Sequence, residues 1–187
     1  MSRSKKLIVT ALFLIGACIL LYPAVSNKLA ERHQAEMISR YEQTVEELPK
    51  TDMKSEWEKA VKYNESVTGM SVEDPFILGS GSVLPGNYKD VLNVEEKEGV
   101  MGYIEIPAID VMLPIYHGVS ERVLRRGVGH METTALPIGG KGTHSVLASH
   151  RGLSTAKLFT DLDRMKEGDL FYICLLYTSP SPRDISG

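Results

Sequence analysis

Cysteine is scarce in this sequence of 187 residues. The two cysteines are Cys18 and Cys174, so residues 28–173 contain none. Their absence argues against a disulfide framework and against a zinc site with thiolate ligands in this region. A surplus of positive charge is also lacking, because 21 lysines and arginines face 24 aspartates and glutamates, for a net charge of −3. Without a basic stripe, nucleic acid is not an expected partner.

Charged residues are missing altogether from residues 7–27, and residues 7–22 are strongly apolar. A segment of this length is just long enough to cross the core of a bilayer. Three basic residues within positions 1–6 predict that the N-terminus is cytoplasmic and that the main domain is extracellular. We predict an uncleaved single-pass anchor at 7–27. A cleaved signal peptide is the alternative, because residues 24–26 form an acceptable cleavage site.

Two helices are predicted in a stalk region at residues 28–68. Asn27 can cap a helix that runs to about Leu48. One face of this helix carries a residue at every fourth position: Leu29, His33, Met37, Tyr41 and Val45. A second helix is expected from Lys54 to Tyr63, with Trp57 and Val61 facing inward.

Short apolar strands are predicted between residues 91 and 173. Their expected positions are 101–106, 109–115, 143–150 and 170–173. Two helices should interrupt them, one at 120–126 capped by Ser120 and one beginning at Ser154 or Thr155. The second helix should bury Leu158, Phe159, Leu162 and Met165. Residues 138–143 suit a hairpin turn. The pattern by itself indicates a mostly β domain with helical insertions.

His150 is the candidate functional residue that the local pattern singles out. It ends a predicted strand and precedes a glycine turn, a place from which a side chain can reach a cleft. An ordinary surface histidine in a loop is the alternative. A metal site is not expected, because His144 and His150 would stand about 20 Å apart along one strand. His117 and His130 have no acidic neighbour at ligand spacing.

Five segments together resemble the class C sortases, the membrane-anchored cysteine transpeptidases that polymerise pilins on Gram-positive cells. They are GVMGYIEIP at 99–107, LPIYHG at 113–118, GVGH at 127–130, HSVLASHRG at 144–152 and AKLFTDLD at 156–163. The resemblance runs from about Leu7 to Ile173. It implies a closed, mainly antiparallel sortase-type β-barrel with N-terminal helices, of which residues 91–173 are an incomplete part.

The resemblance also implies an activity and its residues. The family cleaves a sorting signal of the Leu-Pro-x-Thr-Gly type, holds the product as a thioacyl intermediate and transfers it to a pilin lysine, without a cofactor. Its catalytic histidine matches His150, and its cysteine and arginine lie on strands beyond the position of Ile173. Its flexible lid matches Asp74, Pro75 and Phe76 in a lid loop at 69–90, with the carboxylate near the catalytic arginine and the ring over the cysteine.

Residues 174–187 do not continue the resemblance and look like translated sequencing-adapter read-through. A native proline- and serine-rich tail is the alternative. We assign no role to Cys174 or Arg183, and we expect the chain as written to be inactive because the catalytic cysteine and arginine are missing. The alternative to an enzyme is a non-enzymatic, membrane-anchored extracellular surface domain.

Overall fold

The computed structural model describes residues 3–67, 86–94 and 99–176. The predicted lid motif at 74–76 and the tail from 177 onward lie outside the described residues. The α-helices are α1 (Arg3–Glu47), α2 (Lys50–Val67) and α3 (Glu121–Leu124). The strands are β1 (Val100–Ile106), β2 (Val111–His117), β3 (Val128–His130), β4 (Leu147–Ala148) and β5 (Tyr172–Cys174). Short 3₁₀ helices cover Tyr88–Asp90, Pro107–Ile109 and Leu162–Arg164.

Helix α1 is one uninterrupted helix of 45 residues that passes through Pro23. Within the described part of the chain, it is the one helix long and apolar enough to cross a membrane, judged by length and composition. The predicted helix start at Asn27 is wrong. Extending a formed helix adds one hydrogen bond per residue, whereas a break would leave terminal backbone groups to be satisfied on both sides.

The packed face of α1 begins later than predicted. Leu29 is 60% exposed and His33 is also exposed. Burial starts at Gln34, whose side-chain amide donates to the backbone oxygen of Arg126 at 3.2 Å. The other buried members of the face are Met37, Ile38, Tyr41 and Val45. The helix therefore packs on the sheet only along its C-terminal part.

Helix α2 buries a different face from the predicted one. Trp57 is 42% exposed and Val61 is 38% exposed, so their predicted inward orientation is wrong. The buried residues are Ala60, Tyr63, Asn64 and Val67. A polar residue decides this orientation. Asn64 donates to the backbone oxygen of Leu136 at 3.1 Å and accepts from its backbone N–H at 2.7 Å.

The five strands form one sheet in the order β4-β3-β2-β1-β5. Three of the pairings are antiparallel, and β2 pairs with β3 in parallel. The parallel pair is joined by α3, which begins as predicted at a Ser120 cap that accepts from Val123 N. Within the described residues, the sheet is open rather than the closed barrel that the resemblance implies.

Three predicted strands are shifted or shortened. Residues 107–110 form a turn that ends with Asp110 at a φ of 52°, so β2 begins at Val111. The predicted strand at 143–150 shrinks to β4, because His144 O and Val146 O accept from the loop after β3, at Ala135 N and Met131 N. The last strand, β5, covers Tyr172–Cys174 instead of 170–173.

The helix predicted after Ser154 or Thr155 is wrong. Leu158 has a φ of 44°, which a right-handed helix does not allow. The turn is held instead by Gly152 N, which donates to Thr160 Oγ1 at 3.2 Å. Leu158 and Phe159 are buried as predicted, whereas Leu162 is 42% exposed and Met165 is partly buried. The sequence spacing therefore identified some core residues but predicted the wrong backbone conformation for them.

We predict that Asn64→Ala lowers the free energy of unfolding by roughly 1–3 kcal/mol, because it removes the acceptor of the buried Leu136 N–H, while Leu136 O still accepts from Ile138 N at 2.8 Å. Urea unfolding of the chain in mild detergent measures the change. Glu65→Ala is the matched control on the exposed side of α2 and should change stability by no more than about 0.5 kcal/mol. Equal effects of the two variants would show that Asn64 does not anchor the helix.

Candidate active site

His150 lies two residues after the end of β4, and two hydrogen bonds fix the backbone there. Its carbonyl oxygen accepts from Phe159 N at 3.2 Å. The hydroxyl of Ser149 donates to the backbone oxygen of Gly127 at 2.7 Å, which ties the end of β4 to the residue before β3. The His150 side chain is 31% exposed, so it combines a fixed backbone with access to solvent.

The imidazole of His150 contacts a carboxylate that the sequence analysis did not identify. His150 Nε2 lies 3.2 Å from Glu121 Oε2, and Arg125 Nε lies 2.7 Å from Glu121 Oε1. The guanidinium of Arg125, and then the charge of His150, hold the pKa of the Glu121 carboxyl below its usual value. Glu121 is 29 residues from His150, and no local sequence signal links the two.

Residues on both sides of His150 in the sequence, but not His150 itself, line a groove with a volume of about 450 Å³. It is lined by residues 147–149, Arg151, Phe159, Leu162 and Asp163. The side chains of Arg151 and Asp163 form an ion pair at 2.8 Å, and both are exposed. A groove with apolar side chains and a few polar groups is the usual form of a site for a small ligand or a peptide segment.

The other histidines near β3 are structural. His130 is fully buried, and its Nε2 lies 2.9 Å from the backbone oxygen of Ala135, which can only accept. The neutral ring therefore carries its proton on Nε2, and Nδ1 accepts from the Tyr88 hydroxyl at 2.9 Å. Burial lowers the pKa of His130 to about 4. A histidine with that pKa is neutral near pH 7 and does not exchange protons with a substrate.

His117 lies on the other side of the Tyr88 ring, in edge contact with it. Its Nε2 is 2.8 Å from Val91 O, and its Nδ1 is 3.3 Å from Gly99 O. Burial lowers its pKa as well, and hydrogen bonds to these two carbonyls partly oppose the effect. Within the described ranges, no three histidine, cysteine, aspartate or glutamate side chains are grouped so that they could hold a metal ion.

Cys174 is not placed to act with His150. It lies on β5, and His150 follows β4, so the two are at opposite edges of the sheet. Four strand spacings separate those edges, on the order of 19 Å along the sheet. Burial is the main cause that raises the pKa of the Cys174 thiol, while a hydrogen bond with Tyr103 opposes it. The thiol is therefore protonated near neutral pH and is a weak nucleophile.

Comparisons with known proteins all point to one family. The family model named sortase domain matches residues 104–178, a range that includes His150. The chain is 28% identical over 171 residues to sortase A of Listeria monocytogenes, covering 90% of this chain and 67% of the relative. It is 25% identical over 172 residues to sortase A of Bacillus anthracis, covering 91% and 69%.

Solved structures agree with this result. Sortase C of Streptococcus pneumoniae is 40% identical, with a TM-score of 0.65 over 75% of this chain and 68% of that chain. Sortase C1 of Streptococcus agalactiae is 36% identical, with a TM-score of 0.64 over 75% and 70%. The chain thus spans about two thirds of the length of these proteins.

We predict that His130 makes the fold sensitive to acid. The folded-state pKa of about 4 lies below the ordinary value of about 6.5, so burial favours the neutral ring. The contribution of the neutral His130 ring to the free energy of unfolding is complete above about pH 6.5, declines as the pH falls toward 4 and is lost below that. The difference between the two pKa values corresponds to about 3 kcal/mol of stability.

Urea unfolding between pH 7 and pH 4, compared for wild type and His130→Asn, measures this contribution. The variant should be less stable at pH 7 and should lose less stability on acidification. His33→Asn, at an exposed histidine of α1, is the control and should retain the wild-type acid dependence. Parallel acid dependence in wild type and His130→Asn would contradict the assignment.

Proposed function

This chain belongs to the sortase family of cysteine transpeptidases, and on that premise we propose that it is a class C enzyme of pilus assembly. The proposed reaction cleaves a Leu-Pro-x-Thr-Gly sorting signal between threonine and glycine. The threonine carboxyl is then joined to a lysine amine of a pilin subunit. The Streptococcus pneumoniae sortase C, at 40% identity, has pilin substrates, which supports this class.

The observation that carries the proposal is the placement of His150. It has a fixed backbone and a partly exposed ring, and residues on both sides of it in the sequence line an open groove. An imidazole in this position can take the proton of a cysteine thiol, so that the thiolate attacks the threonine carbonyl. The same proton can then pass to the departing glycine amine.

The nucleophile and the oxyanion donor are not supplied by residues that the structure places near His150. The family resemblance assigns them to a cysteine and an arginine on strands that follow the position of Ile173. Neither Cys18, in the apolar part of α1, nor Cys174 is a substitute. We therefore expect the 187 residues by themselves to show no turnover of a fluorogenic sorting-signal peptide.

Asp74, Pro75 and Phe76 are proposed as a lid over the nucleophile. The proline stiffens the turn, and the ring can cover a thiol. In the full-length enzyme, Asp74→Ala and Phe76→Ala should both raise the rate at which a small thiol reagent labels the catalytic cysteine. Unchanged labelling rates in both variants would remove the lid from the mechanism.

Residues 7–27 are proposed as an uncleaved membrane anchor. The apolar residues in this part of α1 are exposed, and this part is mostly without contacts to the sheet. Both features favour a lipid environment for this segment. Protease added to intact protoplasts should digest the chain after the span and leave residues 1–27 protected. Full protection of the downstream domain, or a mature chain that begins near residue 27, would contradict an anchor with this topology.

We predict that His150→Ala in the full-length enzyme lowers transpeptidation by at least about 10²–10⁴-fold, because the thiol loses its proton acceptor. The fold should be retained, since the ring is partly exposed and the neighbouring backbone bonds do not involve it. Product formation from a sorting-signal peptide and an amine acceptor measures the effect. His144→Ala is the matched control, since His144 is exposed and its described bond is through the backbone. Equal activity of the two variants would exclude His150 from catalysis.

A further inference from the structure

We propose that Glu121 is a positioning residue for His150, and that it leaves Nδ1 of the imidazole as the nitrogen that exchanges the proton. The inference rests on the proposed function of His150, and it adds a carboxylate to the site. Its starting point is the 3.2 Å contact between Glu121 Oε2 and His150 Nε2.

The contact fixes which ring nitrogen carries hydrogen. The Arg125 guanidinium keeps Glu121 ionised, and an ionised carboxylate can only accept hydrogen bonds. His150 Nε2 must therefore donate, and in the neutral ring Nδ1 then holds the lone pair. The proton of a cysteine thiol would move to Nδ1, which leaves a thiolate and an imidazolium. Glu121 remains ionised beside the imidazolium and stabilises its positive charge.

Glu121 is held in place from both sides. It is the first residue of α3, whose start is capped by the Ser120 hydroxyl. Behind α3, Leu124 is buried, and the oxygen of Arg126 accepts the bond from Gln34 of α1. Within its own side chain, one carboxylate oxygen is used by Arg125 at 2.7 Å, and the other faces the imidazole.

The backbone of His150 is tied to the same part of the fold. The Ser149 hydroxyl donates to Gly127 O, three residues after α3 ends, and β3 pairs with β4. Gly129 of β3 also packs closely against the segment after β2, since a Cβ atom on it would lie 2.4 Å from Gly118 O. The two partners of the contact therefore sit on connected, packed elements, although the carboxylate itself is 61% exposed.

The first experiment detects the contact in the 187-residue chain in detergent micelles. Nitrogen-15 labelled histidine side chains are observed by NMR under alkaline conditions, and the His150 signal is assigned with His150→Ala. In wild type the Nε2–H tautomer should predominate. In Glu121→Ala the ring should relax to the tautomer mixture of an unrestrained imidazole. An unchanged tautomer ratio would overturn the proposal.

The second experiment measures the catalytic role in the full-length enzyme. Glu121→Ala should lower kcat by about twofold to fivefold with little change in KM, since the contact is an exposed pair that orients the base without touching the substrate. Glu121→Gln should restore part of the loss, because the amide oxygen still accepts from Nε2. An unchanged kcat, or a loss confined to KM, would overturn the positioning role.

The chain offers a closely matched control. Glu36 of α1 forms the same kind of pair with Arg40, four residues on, at 3.1 Å, and it is 65% exposed. Glu36→Ala should leave both the His150 tautomer and kcat at wild-type values. A loss equal to that of Glu121→Ala would show a general effect of removing surface charge and would also overturn the proposal.

The two proposals can fail separately. If His150→Ala abolishes transpeptidation while Glu121→Ala has full activity, His150 remains catalytic and the positioning role is wrong. If His150→Ala retains activity, the proposed function of His150 is wrong, whatever its tautomer, and the contact with Glu121 has no catalytic meaning.

Discussion

The hydroxyl of Tyr88 is the contact on which the arrangement around His150 depends. It accepts from Gly118 N at 3.0 Å, just after β2, and it lies 2.9 Å from His130 Nδ1 and 3.1 Å from His130 O on β3. One side chain from the segment between α2 and β1 thus joins the ends of two neighbouring strands. Burial raises its pKa, so it stays a neutral hydroxyl that can both donate and accept.

The connection continues from Tyr88 toward the candidate site. His130 joins β3 to the loop that follows it, because its Nε2 donates to Ala135 O. In the same loop, Thr134 Oγ1 accepts from Val146 N, the residue before β4. Each bond is buried or partly buried, where an unpaired polar group costs about 1–3 kcal/mol. This interior network fixes the start of β4, so the exposed ring of His150 can act from a rigid base without being packed itself.

Local sequence signals predicted the features that depend on adjacent residues. The Ser120 cap and the β1 strand were both predicted, because capping and alternation act over a few positions. Predictions that needed a distant partner were wrong. The buried face of α2 is set by Asn64 and Leu136, which are 72 residues apart. The helix after Ser154 was excluded by the conformation of Leu158, which no residue spacing reveals.

The candidate site shows the same division. His150 was identified from its position at a strand end and from the family resemblance, whereas Glu121 was not. Its position after a serine cap is typical of an ordinary helix start, where a carboxylate is favoured by the helix dipole alone. The parallel pairing of β2 with β3 and the antiparallel pairing of β3 with β4 bring that helix start beside the histidine. The partner of this candidate catalytic residue is thus determined by topology more than by local sequence.

The continuity of α1 connects the proposed anchor to this site. With residues 7–27 in a bilayer, Gln34 lies seven residues beyond the span, about 10 Å along a helix that rises 1.5 Å per residue. The side-chain amide of Gln34 donates to the backbone oxygen of Arg126. Arg126 lies just after α3, the helix that begins with Glu121. A stiff helical connection, rather than a flexible linker, therefore joins the span to α3. In that arrangement the sheet and the site stay close to the membrane surface, and their distance from it varies little. Because α1 runs without a break from the proposed anchor through Gln34, the anchor would couple the position of the site to the membrane.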